Sequence, residues 1–164
     1  SAAMIVLSPS PVVTEASLIT SPADPNAKVT SRKTPLAEFW ALASQPGGVE
    51  QAARVFHETR QRDPQAFLFP ESVLNQLGYA RLTARAFDDA VGLFKLNTEA
   101  YAASANAQDS LSDAYLARGQ KDLALAAAQK CLELLPADKS DEQFKVRLRQ
   151  AVEEKIAKLK AAQE

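Results

Sequence analysis

The sequence predicts an all-α protein, a stack of helical hairpins, on three observations. First, residues 74–136 superpose on themselves with a shift of 34: Leu77 falls on Leu111, Leu82 on Leu116, Ala90 on Ala124 and Leu93 on Ala127. The same shift places Ser72 on Asn106 and Asn75 on Asp109. A fixed period of this length marks an array in which each unit buries its apolar face against the next. Second, each copy carries two stretches of helical periodicity joined by a short polar turn. Third, the 46% hydrophobic share comes mostly from alanine and leucine, with 7% aromatics. That balance suits helices packed closely through small side chains.

Residues 1–33 are of another kind and are expected to form an irregular arm. Pro9, Pro11, Pro22 and Pro25 interrupt them, so no stable helix fits. The apolar runs 4–7, 12–13 and 18–19 have β character but are short. An extended linker or tail and the edge of a neighbouring domain are both open for this segment.

The helical domain is expected over 34–164. Thr34 can cap a first helix and Pro35 suits its first turn, with Leu36, Phe39, Trp40 and Ala43 at helical spacing. Gly47-Gly48 stops it, and a second helix runs from about Val49 to Asp63. The spacing from Gly47 through Ala52 and Phe56 to Pro64 matches that from Gly119 through Ala124 and Ala128 to Pro136, so 33–66 reads as a degenerate copy. The residues Ala66 to Pro70 take up a slip in phase, and their aromatics are expected to pack under the connection. The clearer copies are 71–104 and 105–138. In the first, Leu74, Leu77, Gly78 and Leu82 precede a turn at Thr83-Ala84-Arg85, and Phe87, Ala90, Val91, Phe94 and Leu96 follow it. In the second, Leu111, Ala114, Tyr115 and Leu116 lead to Gly119, and Leu123 through Leu135 return to Pro136. A capping helix is expected over 140–162, opened by a capping box of Ser140 and Gln143. Its apolar stripe is Phe144, Leu148, Ala151, Val152, Ile156 and Leu159, and its other face is charged.

Charge and composition limit the chemistry. Net charge is -1, without the basic excess that holds a phosphate backbone, so nucleic-acid binding is not expected. No apolar run reaches the roughly 20 residues that span a bilayer, and no basic region followed by an apolar core stands near residue 1. The single cysteine, Cys131, forms no intramolecular disulfide and reads as a small core residue. The single histidine, His57, begins a zinc-helix pattern with Glu58, but Gln61 stands where the second histidine belongs. Without a nucleophile elbow, a Gly-rich phosphate loop or a cysteine–histidine set, neither catalysis nor a cofactor is expected. His57 reads as a solvated side chain on a face with Arg54, Glu58 and Gln61. Asp88 and Asp89 suit the positive end of a helix, and Asn106 with Asp109 reads as a cap and its reciprocal partner. Lys145, Arg149, Lys155 and Lys160 form a basic stripe on the wet side of the last helix.

The copies resemble the tetratricopeptide repeat (TPR), whose unit follows W-x2-L-G-x2-Y, A-x3-F and P. Leu74-x2-Leu77-Gly78 and Ala90-x3-Phe94 carry the likeness in one copy; Leu111-x3-Tyr115, Gly119, Ala124 and Pro136 carry it in the next. Arg81, Ser112, Ala128 and Ala102 depart from the pattern, standing in place of tyrosine, glycine, an aromatic and proline. The resemblance implies three helix pairs whose first helices line a concave surface that binds peptides or domains. On that surface it places Asn75, Tyr79 and Leu82 from one pair, with Asn106, Asp109, Asp113 and Leu116 from the next. Such a groove is mildly acidic and lacks the lysine–arginine cluster that grips acidic C-terminal tails.

Residues 74–79, 90–97 and 104–111 also look like the TPR segment attached to the C-terminal side of bacterial serine hydrolases, both α/β-hydrolase esterases and β-lactamase-like enzymes. This resemblance implies an accessory role beside a hydrolase domain in cis. The expected function is therefore a non-catalytic protein–protein or interdomain module, with the hydrolase accessory domain as the alternative. An independent small enzyme is the third reading. The partner is expected to be a protein or peptide, and a homodimer paired through apolar helix faces or an exchanged arm is open.

Overall fold

A computed structural model describes residues 33–66 and 68–163. The expected arm, except for Lys33, lies outside these residues, as does Phe67. The described residues hold seven α-helices and no strand: α1 (Pro35–Ala43), α2 (Val49–Arg62), α3 (Glu71–Thr83), α4 (Phe87–Ala100), α5 (Ala105–Ala117), α6 (Lys121–Leu134) and α7 (Glu142–Ala161). A short 3-10 turn, Leu135–Ala137, follows α6. Helices pack as sequential pairs, α1 with α2, α3 with α4 and α5 with α6. Between pairs, α4 meets α5, α2 meets α4, α3 meets α5, and α7 packs on α6.

Local chemistry sets the helix ends. Thr34 Oγ1 accepts the Ala37 N–H at 3.2 Å, and Pro35 occupies the first turn, as expected. The turns after α3 and α5 are the same motif 34 residues apart. Arg85 and Gly119 both adopt a left-handed backbone, with φ of 58° and 82°. The next N–H reaches back five residues in each case, Ala86 to Arg81 O at 2.9 Å and Gln120 to Tyr115 O at 2.8 Å. This Schellman arrangement satisfies carbonyls that the helix end leaves open. Glycine adopts it without a steric cost, whereas Arg85 is strained. The last helix begins differently from expectation. Asp138 Oδ1 holds the Ser140 N–H at 2.8 Å, so Ser140 belongs to the loop, and Asp141 Oδ1 caps α7 by accepting from Phe144 N at 2.9 Å.

The interior is built from apolar clusters that follow the pairs. Phe39, Ala43, Val49, Ala52, Phe56, Phe69 and Leu74 form the first, reached by Leu93 and Leu96 from α4. Phe69 stacks on Phe39 with ring centroids 5.1 Å apart and lies 5.6 Å from Phe56, so this aromatic does pack under the connection. The second cluster holds Ala90, Val91, Phe94, Leu111, Ala114 and Ala127. The third joins Ala105, Ala128, Cys131 and Leu135 to Leu148 and Val152 of α7.

Two departures from the repeat pattern belong together. A Cβ on Gly78 would lie 2.4 Å from the Phe94 ring, so α3 and α4 need glycine there. In the next pair the corresponding residues are Ser112 and Ala128, both fully buried. The small Ala128 leaves room for a serine, whose Oγ donates to Ala124 O at 2.7 Å. Small-against-large in one pair becomes small-against-small with a hydrogen bond in the other.

Gly78→Ala is expected to lower stability by about 2 kcal/mol through overpacking. Combining Gly78→Ser with Phe94→Ala should cost at least about 0.5 kcal/mol less than the sum of the two single changes, because they share one contact. Arg85→Gly is expected to gain about 1 kcal/mol by relieving the left-handed strain. Urea unfolding of each variant measures all three, and strict additivity of the Gly78 and Phe94 changes would contradict this packing account.

Candidate functional site

The first helices of the pairs bring three of the expected groove residues into one polar network. Tyr79 on α3 donates its hydroxyl to Asp113 Oδ2 on α5 at 2.7 Å. Lys155 Nζ on α7 lies 2.6 Å from both Asp109 Oδ1 and Asp113 Oδ1, and it reaches Asp109 O at 3.4 Å. The two aspartates stand one helical turn apart on α5, which lets a single ammonium bridge them. The side chains of Lys155 and Asp109 are only 16% and 17% exposed.

Burial sets the electrostatics of this network. It pushes the Tyr79 phenol above its ordinary value; the Ser110 hydroxyl pulls the other way and the Asp113 carboxylate adds to the rise. Burial also pushes the Asp109 carboxyl up, against the pull of Lys155. Lys155 itself is held above its ordinary value, because two carboxylates outweigh its own burial. Cys131 lies fully buried near this network, and burial followed by the Asp109 charge pushes its thiol up to about 12. A thiol held neutral in this way is a core side chain, as expected.

This network changes the reading of the groove and of α7. Asp109 and Asp113 are compensated from within, because α7 turns Lys155 inward. Lys145, placed with the basic stripe in the sequence reading, is also buried, at 9% exposure, and contacts Pro136 O and Glu142 Oε1 at 3.3 Å each. The buried line on α7 is therefore Lys145, Leu148, Val152 and Leu159, with Lys155 half-buried beside it, while Ala151 is exposed. Arg149 and Lys160 remain at the surface. The expected Asn106–Asp109 cap is replaced as well: Ser104 Oγ caps α5 by accepting from Ala107 N at 3.1 Å, and Asp109 serves Lys155.

The other expected residues separate. Asn75 and Asn106 line a cleft of about 430 Å³ with Glu71, Ser72 and Gln76. Asn75 Oδ1 has no donor within the protein among the described residues. A second cleft, of about 500 Å³, shares Glu71 and Asn106 and continues past Ser104 toward Asp138, Lys139 and Phe144. The two form one trough across the starts of α3, α5 and α7. Leu82 packs against the second apolar cluster, and Leu116 is 40% exposed at the end of α5. Neither lines the trough.

The structure adds contacts that the sequence does not announce. Glu71 accepts a hydrogen bond from Ser104 Oγ at the junction of the two clefts. Asn97, fully buried, donates from Nδ2 to Glu71 O at 3.1 Å and supports the start of α3. Asp138 accepts the Ala105 N–H at 2.8 Å and ties the segment before α7 to the start of α5. Burial raises the Asp138 carboxyl, but the Ser140 hydroxyl, the Ala105 and Ser140 N–H groups and Lys145 together outweigh it and hold the group below its ordinary value. Arg81, where the repeat pattern has tyrosine, donates to Ala43 O at 3.0 Å and sits 3.9 Å from Asp89. Asp89 also accepts the Gly47 N–H at 3.0 Å, so this pair ties the first hairpin to the second.

His57 is exposed, and its Nε2 pairs with Glu99 Oε2 at 2.7 Å. Among the described residues, no three His, Cys, Asp or Glu side chains gather as a metal site needs. No helix among them is long and apolar enough to cross a membrane. No protein-family model matches the chain, and no curated protein sequence matches it.

Lys155→Met is expected to cost about 3 kcal/mol at neutral pH, because it leaves two half-buried carboxylates without their cation. In the intact protein Lys155 and Tyr79 hold their protons more firmly folded than unfolded. Their contribution is full below the ordinary values of 10.5 and 10.0 and is lost as pH rises above them. Unfolding titrations between neutral and strongly alkaline pH should show that loss, and it should be reduced in Lys155→Met combined with Tyr79→Phe. A pH dependence unchanged by the double variant would contradict the network.

Proposed function

We propose that the chain is a non-catalytic protein-interaction module of TPR type, which holds an extended peptide segment in the trough across α3, α5 and α7. The observation that carries this reading is the trough lining. Asn75, Gln76 and Asn106 offer amides, and Ser72 a hydroxyl, beside one another on a surface built of helix starts. Side-chain amides both donate and accept, so they match the alternating N–H and C=O groups of an extended backbone. The neighbouring cleft adds apolar wall from Ala103, Ala137 and Phe144, against which a partner side chain can be buried.

Support for a TPR-like stack comes from contacts that recur near the repeat length. Tyr79 reaches Asp113, Glu71 reaches Ser104, and Ala105 reaches Asp138, with sequence separations of 34, 33 and 33. Each contact joins the start or middle of one first helix to the corresponding part of the next unit. The charge balance fits the expectation that acidic tails are not the ligand, since Glu71 is the sole charged residue in the narrower cleft.

Selection of a random decapeptide display library on the full chain is expected to yield ligands that shift the NMR amide signals of Ser72, Asn75, Gln76 and Asn106. Changing Asn75 and Asn106 together to alanine should weaken them about tenfold, the equivalent of about 1.4 kcal/mol, with the unfolding midpoint retained. Ligands that instead perturb α2 and α4, or a selection that returns none, would contradict the trough.

A further inference from the structure

We infer that the partner segment carries a basic side chain, lysine or arginine, that docks on Glu71; this rests on the trough reading above. Glu71 differs from the other acids that hold this fold together. Asp109 and Asp113 share Lys155, Asp89 lies beside Arg81, Asp88 pairs with Arg118, and Glu99 meets His57. Asp138 is satisfied by two backbone N–H groups. Glu71 is half-buried and is met by the neutral Ser104 hydroxyl, and no lysine or arginine pairs with it among the described residues. Ser104 is itself fixed as the cap of α5, so the carboxylate is held in place rather than free to swing into solvent. A positioned carboxylate with no lysine or arginine on it among the described residues, at the point where two clefts meet, is the natural seat for a charge-assisted hydrogen bond.

The surroundings define the rest of the segment. An extended chain sends alternate side chains to opposite sides. A basic residue on Glu71 therefore leaves a small apolar residue two positions along to face the wall of Ala103, Ala137 and Phe144. The intervening backbone lies over the amides of Asn75 and Asn106. Lys139 stands in the wider cleft only, toward α7, where it disfavours a second basic side chain at that end.

The test uses the full chain and three fluorescein-labelled, acetylated nonapeptides of repeated Lys-Val-Ser, Gln-Val-Ser or Glu-Val-Ser, read by anisotropy. The lysine peptide should bind about tenfold more tightly than the glutamine peptide, and the glutamate peptide most weakly. Glu71→Gln keeps an acceptor for Ser104 but removes the charge, and it should bring the lysine peptide down to the glutamine level. Glu58→Gln, an exposed acid on α2, should change nothing. Ser72→Lys, at an exposed position beside Glu71, supplies a cation in cis and should weaken the lysine peptide independently of any effect of Glu71→Gln on folding. Equal binding of all three peptides, lost when Asn75 and Asn106 become alanine, would overturn the basic preference and leave the trough. Lysine-peptide binding that survives both Glu71→Gln and Ser72→Lys would also overturn it. Failure of every peptide to bind would overturn both.

Discussion

Much of this structure depends on one ammonium group. Lys155 reaches from α7 to two aspartates on α5, and one of those aspartates accepts from Tyr79 on α3. The first helices α3 and α5 and the last helix α7 are thus tied by one polar network. A partly buried ion pair is a poor source of net stability, because desolvation offsets most of its attraction. It is a strong source of register, since a shift of one helical turn would leave carboxylates and an ammonium unpaired in a low-dielectric setting. The trough lies along the same three helices, so the seam also sets the spacing between Asn75 on α3 and Asn106 on α5.

Around that seam the pairs solve the same packing problem with different residues. Glycine beneath Phe94 in one pair corresponds to a hydrogen-bonded serine near an alanine in the next. Buried Asn97 corresponds to buried Cys131, one supporting the start of α3 through Glu71 O and the other filling space near Asp109. Arg85 corresponds to Gly119 in the left-handed turn. Backbone geometry is shared while side chains diverge, because close-packed interiors constrain summed volume more than residue identity. The cost of that divergence falls on Arg85, where strain is accepted, and on Asn97 Oδ1, which is buried without a donor among the described residues.

The helices themselves were legible in the sequence, since apolar periodicity, Thr34-Pro35 and Gly119 each report on local backbone geometry. The site was only partly legible. Asn75 and Asn106 do share a cleft, but Asp109 and Asp113 face a partner that no pattern on α5 itself announces. The signal for it lies on α7. Residues 145, 148, 152, 155 and 159 recur at alternating steps of three and four, the spacing of a buried seam. Reading Lys145 and Lys155 by residue type placed them in water; reading them by position places them inward. Ser104 and Glu71 were missed for a different reason. A helix cap and a helix-start acid look ordinary in one dimension, and only the meeting of two helix starts makes them a junction.

The central claim is that Lys155 acts through the aspartates on Tyr79, so that α3, α5 and α7 form one coupled unit. A double-mutant cycle of Tyr79→Phe and Lys155→Met tests it most directly, with stability measured by urea unfolding at neutral pH. The two residues share Asp113 without forming a hydrogen bond or ion pair with each other, so coupling between them must pass through the shared carboxylate. The account predicts non-additivity of about 1 kcal/mol, and additivity within about 0.3 kcal/mol would contradict it.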